Sequence, residues 1–402
     1  MLNLSLNKKV LIFGFIFTFF SSFGQSFFLG LFNPSIRNEL DISHGQFGTI
    51  YAFATICSSI VLVWFGKKID EYKLLYYSLF VVVTLSISAL FFSFINSIYF
   101  LAIAIFLMRF SGQGLMSHTS TTAISRFFEK SRGKALSTIW FGLSFAEFLL
   151  PVLVTYLLLV FSWRIIWQGI AIVIIIFLPI IIFKCIKTIK LNSREKKKVT
   201  LKNNKIKNWK RSQVIKDFKF YIVSLNMLAG PWIITGIFVY QSFISDSKFW
   251  SDYAIPKAFM IYSLTSIFSL IAAGFLVDKF NSRKLLPIIN IPLLLSMVTL
   301  YFLESEISAY IFLGLIGVSN GLANVLGSST WAEIYGVKYI GSIKALTTAL
   351  MVFSTAFGTA LFGFLIDRGF SIEQIALVSF FYISLSLILL FFVRNKLNPQ
   401  YI

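Results

Sequence analysis

The chain has 402 residues, of which 57% are hydrophobic, 18% aromatic and only 13% charged, with a mean hydropathy of +0.82 and a formal net charge of +20. A soluble domain carries about a quarter charged residues, so this composition excludes one and points to apolar segments able to cross a ~30 Å hydrocarbon layer. The charge is local: residues 184–219 hold fourteen Lys and Arg against Glu195 and Asp217, with few aromatics besides Trp209, which excludes nucleic acid and fits a cytoplasmic loop near anionic membrane lipids.

In chain order, apolar runs separated by polar or charged breaks predict twelve helical spans. The first covers 10–32. Lys8 and Lys9 ahead of it imitate a signal peptide, but the run is of spanning length. Five more cover 45–65, 74–94, 98–125, 134–160 and 165–187. After the basic loop they resume at 218–243, 257–277, 285–303, 308–333, 342–365 and 373–393. Runs of this length without period-two alternation exclude a β-barrel. The expected architecture is an all-α membrane protein, with residues 1–187 forming one six-helix half, 188–217 the basic loop and 218–402 the second half.

Basic residues set the expected orientation. With both termini inside, the cytoplasmic segments collect thirty of the thirty-six Lys and Arg, and the external loops collect five: Arg37, Arg164, Lys248, Lys257 and Arg368. The last, Arg109, lies within a span. A multi-pass protein of a bacterial inner (plasma) membrane, with both termini cytoplasmic, is the expectation.

The halves echo each other. "GKKID" at 66–70 returns as "GFLVD" at 274–278, so Gly66 and Asp70 pair with Gly274 and Asp278 at a spacing of 208. "KAL" at 134–136 returns at 344–346, and Thr122 matches Thr330. Duplicated six-helix units are a transporter architecture, with substrate expected near mid-membrane.

These residues resemble the signature loop of the major facilitator superfamily, Gly-x-Leu-x-Asp-Arg-x-Gly-Arg-Arg. The second copy fits through Gly274, Leu276, Asp278, Lys279, Arg283 and Lys284; the first keeps Gly66 and Asp70 but has Lys68 for Leu and Glu71 for the basic residue. The resemblance implies a conformational latch at these positions. Physically, an acidic residue at a helix end can accept hydrogen bonds from the free N–H groups of a neighbouring helix start. Glu333, near the end of the tenth span, reads as a gate of the same kind. "RFFEKSRGKAL", "WAEIYGVKYIGSIKAL" and "FGQSFFLGLFNPSIRNEL" resemble the monocarboxylate-porter and oxalate/formate-antiporter branch. Carriers of the oxalate/formate type place basic residues deep in their eighth and eleventh helices; here the inner stretches 260–277 and 346–365 have none, which argues against dicarboxylates.

Charges inside spans are rare enough to be informative. Arg109 lies about twelve residues, or ~18 Å, into the fourth span, and Glu147 lies at similar depth in the fifth. Arg109 offers a planar fork suited to a carboxylate, and Glu147 can carry a proton. Alternatively the two pair with each other, or Arg109 binds backbone carbonyls, holding the half together. Gln113 and Ser120 fall within about 40° of Arg109 on the helical wheel, with His118 on the opposite face. Asn320, Asn324 and Trp331 share a face of the tenth span. Gln25, Asn226, Tyr240 and Gln241 complete the polar candidates, and the resemblance implies that the first, fourth, seventh and tenth helices line the cavity. Gly230-Pro231 is a candidate break in the seventh span. The forty-seven Phe read as lipid-facing bulk.

Neither a phosphate-binding Gly-rich loop nor a zinc-spaced His/Cys cluster occurs, so no cofactor, metal or enzymatic activity is expected. The sequence is read as a secondary transporter moving a small organic anion, monocarboxylate-like, with proton symport. The alternatives are an exporter of amphipathic compounds and a non-transporting receptor.

Overall fold

The computed structural model describes residues 2–128, 132–186, 207–336 and 338–398. It is helical, with no strand among those residues. Among the described residues, twelve helices are long and apolar enough to cross a membrane: α1 (Asn7–Gly30), α2 (His44–Asp70), α3 (Leu74–Phe92), α4 (Ile98–Phe127), α5 (Lys134–Val160), α6 (Trp163–Ile186), α7 (Phe218–Val239), α8 (Ala254–Val277), α9 (Ser282–Phe302), α10 (Ile307–Tyr335), α11 (Ser342–Asp367) and α12 (Ile372–Lys396). Contacts divide the chain into two compact units, Met1–Lys197 and Lys198–Ile402. Of the basic loop, residues 187–206 lie outside the described residues.

The duplication expected from the sequence appears as repeated packing. In the first unit α1 packs on α5, α2 on α4 and α3 on α6; in the second α7 packs on α11, α8 on α10 and α9 on α12. The α1–α5 and α7–α11 contacts use the same device. A Cβ on Gly142 of α5 would stand 2.1 Å from the Phe15 carbonyl oxygen, and one on Gly358 of α11 would stand 2.1 Å from that of Trp232. Helices in hydrocarbon gain nothing from merely hiding apolar surface, so close backbone approach at small residues supplies the packing energy instead.

Two expectations about helix breaks are revised. α1 is not one continuous helix: Ser22–Gly24 is a 3₁₀ turn and Gln25 is extended before helix resumes at Ser26–Gly30. Conversely, α7 runs unbroken through Gly230-Pro231. The proline removes the ladder hydrogen bond to the Met227 carbonyl, and hydroxyls of neighbouring helices hold the carbonyls on either side of that one: Tyr382 donates to Leu225 at 2.9 Å and Ser354 to Leu228 at 3.0 Å. The phenylalanines also divide. Phe53, Phe268, Phe275 and Phe392 are exposed, as lipid-facing residues are, whereas Phe23, Phe27, Phe28 and Phe32 of the α1 region are buried. Phe28 and Phe32 meet Trp167, which also stacks against Phe92.

At the turn-bearing end of the first unit, Arg164 ties three connections together. It donates to Glu39, to the Ser93 carbonyl at 2.6 Å and to the Ile95 carbonyl at 2.6 Å. Trp163 adds a 2.8 Å hydrogen bond to Glu39.

Candidate functional site

The site grows from two irregular backbones that face each other. In α1, "SSFGQ" combines a poor helix former with hydroxyls that compete for backbone groups; the Ser21 hydroxyl donates to the Thr18 carbonyl at 2.7 Å. In α4, "RFSGQGLM", Arg109–Met116, is wound as a π-helix, a wide winding that recurs at functional positions. At the two glycines the segments meet backbone against backbone. A Cβ on Gly24 would stand 2.3 Å from the Met108 carbonyl oxygen and 2.4 Å from the Gln113 nitrogen, and one on Gly112 2.7 Å from the Gly24 nitrogen.

Arg109 is 2% exposed and its guanidinium is held on one side only. Nη1 donates to the Gly24 carbonyl at 3.1 Å and to Ser26 Oγ at 3.3 Å. The Tyr51 ring of α2 lies under the guanidinium, 5.3 Å from its carbon, and the Tyr51 hydroxyl donates to the same Ser26 oxygen at 3.0 Å. Nε is buried without a partner, and Nη2 donates to no described residue. These two nitrogens form one edge of the planar fork, with parallel N–H bonds at carboxylate spacing.

Glu147 is 7% exposed and has neither hydrogen bond nor ion pair among the described residues; in particular, no ion pair joins it to Arg109. Its depth follows from the register of α5 on α1. Gly14 meets Ile139, Thr18 meets Gly142, and the rings of Phe19 and Phe145 are 6.0 Å apart. Each α1 residue thus sits beside the α5 residue roughly 125 further on, which places Glu147 level with the α1 break near Ser22. Of the three roles open to Arg109, carbonyl binding is present and pairing with Glu147 is not.

Gln25 and Gln113 are half-buried and flank the Gly24 contact. Neither side-chain amide makes a hydrogen bond among the described residues, and the Ser22 hydroxyl is buried without a partner. Ser120, placed by the wheel beside Arg109, donates instead to the Gly14 carbonyl at 2.8 Å and belongs to the α1–α4 packing. His118, on the opposite face, lies 3.0 Å from the Gly66 carbonyl of α2. Close to it, Asp70 forms an ion pair with Arg126 at the end of α4.

In the second unit the candidates scatter. Asn226 is fully buried, contacting Ser386 of α12 at 3.4 Å and accepting from Asn290 of α9 at 2.6 Å through its carbonyl. Tyr240 donates to the Thr359 carbonyl of α11 at 3.0 Å, and Gln241 to the Phe238 carbonyl at 3.0 Å. Asn320 donates to Ser266 of α8 at 3.2 Å, while Asn324 is exposed. Trp331, on the same stripe, is buried between Phe220 and Tyr335; the stripe runs from an open middle into a packed helix end.

That packed end holds the second signature loop. Glu333 accepts from the backbone nitrogens of Ser282 at 2.9 Å and Arg283 at 3.2 Å, capping the start of α9. Gly274 has open space around it and Lys279 lies over the Phe280 ring. The Asp278 side chain lies outside the described residues. The chain leaving the basic loop docks at the same end: the Trp209 nitrogen donates to the Tyr335 carbonyl at 3.0 Å and Asn208 accepts from the Lys338 nitrogen at 3.0 Å. Asp217 caps α7 at the Lys219 nitrogen and accepts from the Tyr335 hydroxyl at 3.1 Å.

Sequence reasoning missed Tyr51, Ser26 and Arg126. Tyr51 and Ser26 are ordinary residues in apolar runs, and only their convergence on Arg109 distinguishes them. Arg126 carried a usable signal, a basic residue just past the C-terminal end of the fourth predicted span, within reach of the loop bearing Asp70.

Residues 14–359 match the sequence model of the Major Facilitator Superfamily. No curated protein matches the chain. A bacterial homolog to the human lysosomal transporter Spinster, solved in an inward-facing and occupied conformation, is similar with a TM-score of 0.72 at 12% identity, over 99% of this chain and 98% of that one. The nucleoside transporter NupG is similar with a TM-score of 0.72 at 13% identity, over 98% of each chain. At such identities the likeness to solved structures concerns the fold.

Proposed function

The chain belongs to the major facilitator superfamily, and from that premise we propose that it moves a small organic monoanion by alternating access, together with a proton. The observation that carries this reading is the unpartnered Nε–Nη2 edge of buried Arg109. A buried charge is costly unless paired, and a carboxylate seated on that edge gains two charge-assisted hydrogen bonds. Gly24, Ser26 and Tyr51 hold the guanidinium before substrate arrives, which lowers the ordering cost of binding. Arg109 offers one free edge, and α8 and α11 contribute no Lys or Arg near mid-span, so one carboxylate is favoured over two.

Glu147 is the proton carrier in this reading. It is buried at the level of the α1 break and forms no ion pair among the described residues, so a proton is the counter-charge available to it when the site is closed. Co-movement of anion and proton keeps the occupied site electrically balanced. The bias of Lys and Arg supports a reading with both termini cytoplasmic, in a bacterial inner membrane.

The test uses purified protein in liposomes with an imposed pH gradient, following uptake of acetate, lactate, pyruvate and larger carboxylates. Wild type is expected to accumulate at least one of them in a gradient-dependent way. Arg109→Ala, with its fold verified by thermal melting, is expected to abolish that uptake. Uptake unaffected by the substitution would return Arg109 to a purely structural role.

A further inference from the structure

We infer that the anion carried is a hydroxylated acid, with hydroxyl groups beyond the carboxylate that are read by Gln25 and Gln113. The inference rests on the carboxylate reading of Arg109 and goes beyond it. Buried polar groups in a folded protein are ordinarily satisfied, and half-buried ones without a partner among the described residues are open to a ligand or to water. Here three lie within a few residues of Gly24, the residue whose carbonyl holds Arg109. They are the Gln25 amide, the Gln113 amide and the buried Ser22 hydroxyl.

Their convergence is enforced by the backbone. Gly24 and Gly112 approach so closely that no side chain fits between the two backbones there, and the Gln113 backbone nitrogen lies 2.4 Å from a Cβ position on Gly24. Gln25, the next residue along α1, and Gln113 are therefore neighbours across the two helices. Gln113 follows Arg109 by four residues on a π-helical segment, which keeps the two on one face. Each amide presents both donors and an acceptor, the complement of a hydroxyl, which also donates and accepts. An unsubstituted aliphatic chain entering this band would leave the amides without partners, and a site of that kind discriminates strongly against the analogue lacking the hydroxyl.

The experiment compares acids of equal chain length in proteoliposomes: hexanoate against gluconate, and propanoate against glycerate, as competitors and as substrates. The hydroxylated member of each pair is expected to bind about tenfold or more tightly, the order of one or two hydrogen bonds. Gln25→Leu and Gln113→Leu are each expected to move that preference toward unity. Equal affinity within both pairs in the wild type, with uptake still dependent on Arg109, would overturn the hydroxyl inference and leave the carboxylate reading intact. Absence of binding by every acid would remove both. Because the wild-type comparison decides the matter, the outcome does not depend on whether a variant folds.

Discussion

Arg109 Nη1 donates to the Gly24 carbonyl at 3.1 Å, joining the π-helical stretch of α4 to the break in α1. The contact turns two local irregularities into one preorganised corner. Gly24 exposes a carbonyl because the α1 ladder is interrupted there, and Arg109 is the group long enough to reach it. One face of the guanidinium is thereby fixed and the opposite edge is left for a ligand.

The close approach that permits this bond is steric. Gly112→Ala is expected to push α4 away from α1 and to cost about 1–3 kcal/mol, the range for overpacking. A thermal melt in detergent should fall by several degrees, and Arg109-dependent uptake should fall with it. An unchanged melt and unchanged uptake would mean that the segments separate freely.

Glu147→Gln keeps the shape of the side chain and removes its titration. Anion exchange across equal pH is expected to persist, while acceleration by an inward proton gradient is expected to vanish. Counterflow and gradient-driven uptake, measured on the same vesicles, separate these effects. Gradient-driven accumulation that survives in the variant would assign the proton to another group.

Glu333 caps α9 through two backbone N–H groups, and removal of such a cap typically costs about 0.5–2 kcal/mol. Glu333→Ala should speed amide exchange at Ser282 and Arg283 while leaving the middle of α9 protected. Equal protection in both proteins would deny the cap an energetic role.

Partial desolvation raises the Glu39 carboxyl, but hydrogen bonds from Arg164 and Trp163 and the charge of Arg164 outweigh it and hold the group below its ordinary value of 4.5. The folded state thus binds this proton less readily than the unfolded chain. The contribution to stability is fully present above pH 4.5 and is lost as pH falls through the lower folded value. Melting between pH 7 and 3 should drop less steeply in Glu39→Gln than in wild type. The carboxylate is partly exposed, and solvent screening keeps the difference small.

Much of the architecture was legible in advance because it follows from composition. Twelve apolar runs of spanning length can only be helices in lipid, where every backbone group must be satisfied within its own segment, and the echoes at Asp70 and Asp278 or Thr122 and Thr330 reported the duplication. Arg109 and Glu147 stood out for the same reason: a charge in an apolar run is conspicuous, and its burial follows from the membrane alone. The polar uncharged candidates were less legible. Asn226 and Asn320 have the composition of cavity residues, yet each is engaged with a neighbouring helix, because an amide in hydrocarbon takes whatever partner packing brings to it.

Which edge of Arg109 stays free, where α1 breaks and why α7 does not are matters of contact between segments distant in the chain. Glycine and proline mark where a helix can yield, but neighbours settle whether it does. Hydroxyls from α11 and α12 bind the carbonyls flanking that of Met227 and α7 stays continuous, whereas at Gly24 the facing backbone of α4 occupies the space and Arg109 takes the freed carbonyl. A hydrogen bond between residues 85 positions apart leaves no mark on local periodicity, so the composition of the chain specified a bundle with two charges deep inside its spans and the packing of that bundle gave each charge its surroundings.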